Sequence, residues 1–256
     1  MRVALAGKGG VGKTTLSATL SRLVARNGPG VVAIDADSNP NLAAALGITD
    51  GEEPDFLPFG LVSRKPDGPA LTAPIDEVLA RHAVRGPDGV TLLRMGQPQH
   101  ADEGCLCSAH ATVSAVLADL GAQEGVVTVM DLEASPEHLS RGTARHADTL
   151  VMVTEPYYRS LETIRRLGAL AVELAIPRIG VVANKVRSDE ERDAVTEFCH
   201  RHELDFIGAV PWDSGVMDAD AAGRPLLDTA ADSPVVDAVR RLIDHLQIPT
   251  ATEVAG

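Results

Sequence analysis

Short runs of apolar, often β-branched residues alternate along this chain with longer stretches whose apolar residues recur every three or four positions. The short runs fall at 2–6, 31–34, 89–95, 126–130, 149–154, 179–183 and 206–210. Each is of strand length and largely apolar on successive residues, as expected of strands covered on both faces. Helical spacing runs through 14–25 (Leu16, Leu20, Leu23, Val24), 42–46, 75–82, 109–120, 160–174, 190–202 and 235–246. Strand followed by helix, six or seven times with short connections, predicts an α/β fold: a doubly wound, mainly parallel sheet with helices on both faces. We find no internal repeat or interdomain linker, so 1–256 reads as one domain. Residues 49–89 break the rhythm. They are rich in Pro and Gly and are expected to form an irregular insertion, at a sheet edge or for binding a partner. The last ten residues are expected to fray.

The polar residues between these elements change the picture. The first strand runs into Gly7-Lys8-Gly9-Gly10-Val11-Gly12-Lys13-Thr14, a glycine, four residues, then Gly-Lys-Thr. Between a strand and a helix, that pattern is a phosphate loop. Its backbone N–H groups and the helix N-terminus form an anion cradle, here Gly9 to Thr15. Lys13 is expected on the β/γ-phosphates and the Thr14 hydroxyl on Mg²⁺. Lys8 is an additional lysine that the curled backbone directs away from those phosphates. The second strand ends in Asp35-Ala36-Asp37, beside the loop, where open α/β sheets hold ligands. Asn39 and Asn41 follow. The run 126–130 ends at Asp131, the apolar-strand-then-aspartate pattern that holds Mg²⁺ through water. Residues 131–143 then form a second switch segment, where a γ-phosphate could be sensed. Asn184, at a strand end, has the donor and acceptor needed to pair with a purine, and Pro211 heads a loop expected at the same site.

Cys105 and Cys107 are two thiols one residue apart in a loop that opens a helix. A helix N-terminus favours the thiolate, which is the form that binds metal. One C-x-C supplies two ligands where a closed site wants four, so a dimer axis would supply the rest; His100 and His110 are spare candidates. Cys199 reads as a structural thiol, and three cysteines without a signal-peptide pattern argue against a disulfide framework. No apolar run reaches transmembrane length, since 167–176 is interrupted by Glu173. A cytoplasmic location follows as the expectation. A net charge of −13 with few aromatic residues disfavours non-specific nucleic-acid binding.

GKGGVGKT resembles the deviant Walker A loop of the ATPase class that includes nitrogenase Fe protein, MinD/ParA and nickel-insertion ATPases. With IDADSNPNL, GCLCSAHA, DLEASPEHLSRGT, TEPYYRSLET and ANKV in the same order, the chain is similar to the CooC-type nickel-insertion accessory ATPases that mature carbon monoxide dehydrogenase. The resemblance implies Mg²⁺-dependent hydrolysis of ATP to ADP by a homodimer. It assigns Lys8 to the partner's phosphates, Asp37 to orienting the attacking water, and Asp35 to the neighbourhood of the Mg²⁺ shell. It also implies one Ni²⁺ or Zn²⁺ held by Cys105 and Cys107 of both chains, and a client metalloenzyme such as carbon monoxide dehydrogenase, with no nucleic-acid or membrane partner. The family usually has Glu-Ala-Gly after the Walker B strand. Here the segment reads Glu133-Ala134-Ser135-Pro136, which is stiffer. Two rivals stay open at this point. An iron–sulfur ATP-dependent reductase could use the same thiols. A MinD/ParA-like positioning ATPase would need a basic face or a basic amphipathic terminal helix, and neither is visible.

Overall fold

The computed structural model describes residues 1–49, 51–65, 68–97, 106–133 and 137–249. The amino-terminal half runs β1 Arg2–Gly7, α1 Lys13–Arg26, β2 Gly30–Ala36, α2 Leu42–Leu46, β3 Val62–Lys65, β4 Gly68–Leu71, α3 Ile75–His82, β5 Val84–Arg85, β6 Thr91–Arg94 and α4 Cys107–Leu120. It continues with β7 Val126–Leu132, α5 Glu137–Ser140, β8 Thr149–Thr154, α6 Tyr158–Glu173, β9 Arg178–Val186, α7 Asp189–Arg201, β10 Asp205–Pro211, α8 Ser214–Ala221, α9 Leu226–Thr229 and α10 Pro234–Leu246.

Eight strands form one sheet in the order β10-β9-β8-β1-β7-β2-β6-β5. All neighbours are parallel except β5, which pairs antiparallel with β6 through Val84–Leu92 and Arg85–Thr91. The sheet is doubly wound, and strand alternation divides the core in two. Val3, Leu5, Val31, Ala33, Val127 and Val129 face α1, α2 and α10. Ala4, Ala6, Val32, Ile34, Met130 and Leu132 face α3, α4, α6 and α7. That arrangement explains the continuous apolar runs, because a strand covered on both sides has no solvent face to keep polar.

The chain passes from β1 through α1 to β2, and β7 later inserts between those two strands. β8 lies on the other side of β1. The carboxyl end of β1 therefore lies where the winding changes direction, the place such sheets reserve for ligands.

The described residues of 49–89 hold regular elements of their own. β3 and β4 form a hairpin, and α3, β4 and a 3-10 turn at Phe59–Leu61 pack on α4. This small layer is tied to the main body by Asp88, which takes Arg22 and Arg26 of α1.

Candidate functional site: a phosphate-loop cleft

The loop between β1 and α1 closes tightly because its glycines adopt conformations that other residues avoid. Gly12 has φ 96°, and a Cβ there would collide with the Asn184 side-chain amide. Gly7 backs onto the Val153 carbonyl of β8 in the same way. Among the described residues, a cleft of about 470 Å³ opens over this loop. Gly9, Gly10, Gly12, Lys13, Thr14, Thr15, Asp37, Asn184 and Pro211 all line it. Val11 is fully buried beneath.

Lys13 is 6% exposed, and its Nζ lies 3.4 Å from the Lys8 carbonyl. Burial lowers its pKa, opposed by the carboxylates of Asp131, Asp37 and Glu133. A cation held that way has more to gain from a phosphate than one in water.

The Thr14 hydroxyl donates to Asp131 Oδ2 at 2.6 Å, and the Ser17 hydroxyl donates to Oδ1 at 3.3 Å. Asp131 is 1% exposed, and burial pushes its pKa up to about 7 despite the Thr14 hydrogen bond. A buried carboxylate that binds protons this readily gains most from a nearby cation. The hydroxyl and carboxylate oxygens are the hard donors Mg²⁺ takes. The set therefore fits Mg²⁺, with Thr14 and Asp131 as the holding residues. Ser17 escaped the sequence reading because, one turn into a helix, it looks like any small polar residue.

Asp35 and Asp37 do not play equivalent parts. Asp35 is buried, and its two carboxylate oxygens accept from the Leu42 and Asp37 N–H groups at 2.8 and 3.2 Å. Burial still raises its pKa, to about 6. It braces the turn that carries Asp37. Asp37 lies beyond the end of β2, half-buried at the cleft wall, with Oδ1 accepting from the Asn39 N–H. Gln97, following β6, ties this turn down through the Asp37 and Ser38 carbonyls.

Asn184 lines the cleft, but its amide is engaged with the backbone. Nδ2 donates to the Val11 carbonyl at 2.6 Å, and Oδ1 accepts the Lys185 N–H at 2.9 Å. Pro211 ends β10, and the exposed Trp212 and Met217 extend the rim beyond it. Lys8 does not enter the cleft. Its Nζ sits 5.0 Å from the centre of the Tyr157 ring and 3.4 Å from the Tyr157 hydroxyl. Tyr157 was a further omission, because nothing in sequence spacing links it to a loop 149 residues away.

Cys105, His100 and the Ala134-Ser135-Pro136 segment lie outside the described residues. Cys107 opens α4, exposed, and accepts from Arg141 Nη1 at 3.0 Å. It is disulfide-bonded here, so metal ligation by its thiolate would first require reduction. His110, one turn on, is buried with Nδ1 2.9 Å from the Thr143 hydroxyl. Among the described residues no group of three His, Cys, Asp or Glu side chains could hold a metal ion. Cys199 is buried, and burial raises its thiol pKa to about 11, which suits an inert core thiol.

A parallel sheet carrying a glycine-rich phosphate loop at its switch point, with a buried hydroxyl–carboxylate pair behind it, defines a P-loop ATPase. Residues 3–226 match the family model described as the CobQ/CobB/MinD/ParA nucleotide binding domain. This chain belongs to that family. It is 34% identical over 238 residues to the carbon monoxide dehydrogenase accessory protein CooC of Rhodospirillum rubrum, covering 89% of this chain and 90% of that one. It is 32% identical to an uncharacterised ATP-binding protein of Methanocaldococcus jannaschii, covering 90% and 93% respectively. The cell division protein MinD of Aquifex aeolicus superposes with a TM-score of 0.71 over 98% of this chain and 99% of that one. At 20% identity this shows a shared fold. No helix among the described residues is long and apolar enough to cross a membrane.

Proposed function

We propose that this protein is an ATP-dependent metallochaperone, which dimerises around nucleotide and carries Ni²⁺ or Zn²⁺ on its C-x-C pair to a metalloenzyme such as carbon monoxide dehydrogenase. The similarity to CooC supports the class of client. The observation that carries the coupling is the Arg141–Cys107 contact. The chain that leaves Asp131 at the nucleotide site carries, ten residues on, the Arg141 that donates to the Cys107 sulfur at the head of α4. A nucleotide-dependent shift of that segment would be felt at the sulfur.

In this reading the Val11, Gly12, Lys13, Thr14 and Thr15 backbone receives the phosphates, and Lys13 neutralises the β/γ oxygens. Thr14 and Asp131 would hold Mg²⁺, with Asp35 behind them; bound with nucleotide, the ion neutralises developing charge on the phosphate oxygens. Asp37 orients the attacking water. Lys8 leaves Tyr157 and crosses to the partner's phosphates, so two chains must meet before hydrolysis. Cys105 and Cys107 of both chains then supply four thiolates to one ion.

The test is elemental analysis, with acid-labile sulfide, of reduced protein purified without oxygen and offered nickel, zinc and iron separately. The expected result is about half a divalent ion per chain, lost in Cys105→Ser, as a four-thiolate site shared by two chains requires. Iron with sulfide would replace this reading by an iron–sulfur reductase. No metal under any loading would leave a nucleotide switch alone.

A further inference from the structure

We infer that Lys185, at the cleft wall, is a positioning residue of the phosphate loop: its ammonium fixes the Gly10 carbonyl and with it the direction of the next N–H. The end of β9 grips two consecutive peptide units. Lys185 Nζ donates to the Gly10 carbonyl at 2.6 Å, and Asn184 Nδ2 donates to the Val11 carbonyl at 2.6 Å. In a planar trans peptide the C=O and the following N–H point in opposite directions. Fastening the Gly10 and Val11 carbonyls to β9 therefore turns the Val11 and Gly12 N–H groups the other way, toward the place a phosphate would take. The Val11 N–H has only a 3.4 Å contact with the Lys8 carbonyl to give up. A loop that had to find this orientation on binding would lose affinity to the ordering step.

Two further features belong to the same device. Lys185 has φ 59°, a left-handed conformation that residues with a Cβ seldom adopt, and Asn184 Oδ1 holds it by accepting the Lys185 N–H. The strained turn is what brings the ammonium over Gly10. Glu155, just past β8, then takes the same ammonium at 3.0 Å, and its own N–H is anchored on the Ser160 hydroxyl at 3.0 Å. The loop, the end of β8 and the end of β9 thus converge on one ammonium. Asn184, expected to read a purine, belongs to this grip.

The inference rests on the nucleotide site described above, and ADP binding to the unaltered protein, measured by calorimetry, tests that reading separately. ATPase kinetics, ADP affinity and the melting temperature without nucleotide are then compared for Lys185→Met, Lys185→Arg and Glu155→Gln. A charge-assisted hydrogen bond of this kind predicts a KM for MgATP raised about tenfold or more in Lys185→Met. ADP affinity should fall in parallel, with kcat changed far less, because an interaction made alike in ground and transition states moves KM alone. Lys185→Arg should recover most of the loss, and Glu155→Gln should fall between. Unchanged KM and ADP affinity in Lys185→Met would overturn the assignment. So would equal losses in the Met and Arg variants matched by equal falls in melting temperature, since the lysine would then serve only the turn. If Lys185→Met does not fold, Glu155→Gln carries the test, and an unaltered KM there overturns it.

Discussion

Single residues set the chemistry here through where they are buried. Asp131 and Asp35 have pKa values raised by burial to about 7 and about 6. A carboxylate raised in the folded state binds its proton more tightly than in the unfolded chain. Its contribution to stability is therefore greatest below the unfolded value, near pH 4, and falls as pH climbs through the folded value. Without nucleotide, the melting temperature should carry a component that decreases from about pH 5 to pH 7, and this component should shrink in Asp131→Asn. With MgADP the dependence should weaken or reverse, since Mg²⁺ needs the ionised carboxylate; thermal scans at pH 5.5 and 7.5 measure both. Gly12→Ala is a second prediction at this scale. The new Cβ would meet the Asn184 amide in a left-handed backbone, so MgADP should no longer raise the melting temperature and the fold should lose about 2 kcal/mol.

At the scale of elements, α1 does two jobs. Its first turn carries Lys13 and Thr14, and its third carries Arg22, 4% exposed and paired with Asp88 and Asp228. Arg22 thereby ties the phosphate-loop helix to the 49–89 layer and to α9. Arg22→Met should destabilise the protein by about 3 kcal/mol, read from urea unfolding, because two carboxylates lose their shared partner. The helices and parallel strands were legible in sequence because 3.6-residue and continuous apolar patterns report burial directly. The order of the 49–89 layer was not. Its hairpin packs on α4, and the ion pairs of Asp88 tie the layer to α1, contacts that local composition does not encode. The phosphate-loop residues were legible for a different reason: a loop that wraps an anion with its own backbone needs its glycines and lysine at fixed spacing.

For the whole molecule, the test is assembly. Lys8 lies on the Tyr157 ring, outside the cleft of its own chain. Lys8→Ala should remain folded and bind ADP, yet fail to form an ATP-dependent dimer in light scattering, with ATPase activity reduced at least about a hundredfold. A fully active monomeric Lys8→Ala protein would sink the proposed mechanism.

By itself the sequence determined the layer architecture, the phosphate loop and the aspartates near it, because period and motif are local properties of the chain. Only the tertiary structure decided what those groups touch. It put Asp35 on backbone amides, Asn184 and Lys185 on the loop carbonyls, Lys8 on Tyr157 and Arg141 on Cys107. Apart from those of Asp35, which are local, these contacts join elements brought together by the fold rather than by chain distance. β9 and the phosphate loop are neighbours because both lie at the carboxyl edge of one parallel sheet, and hydrogen-bond partners across that edge are chosen by packing.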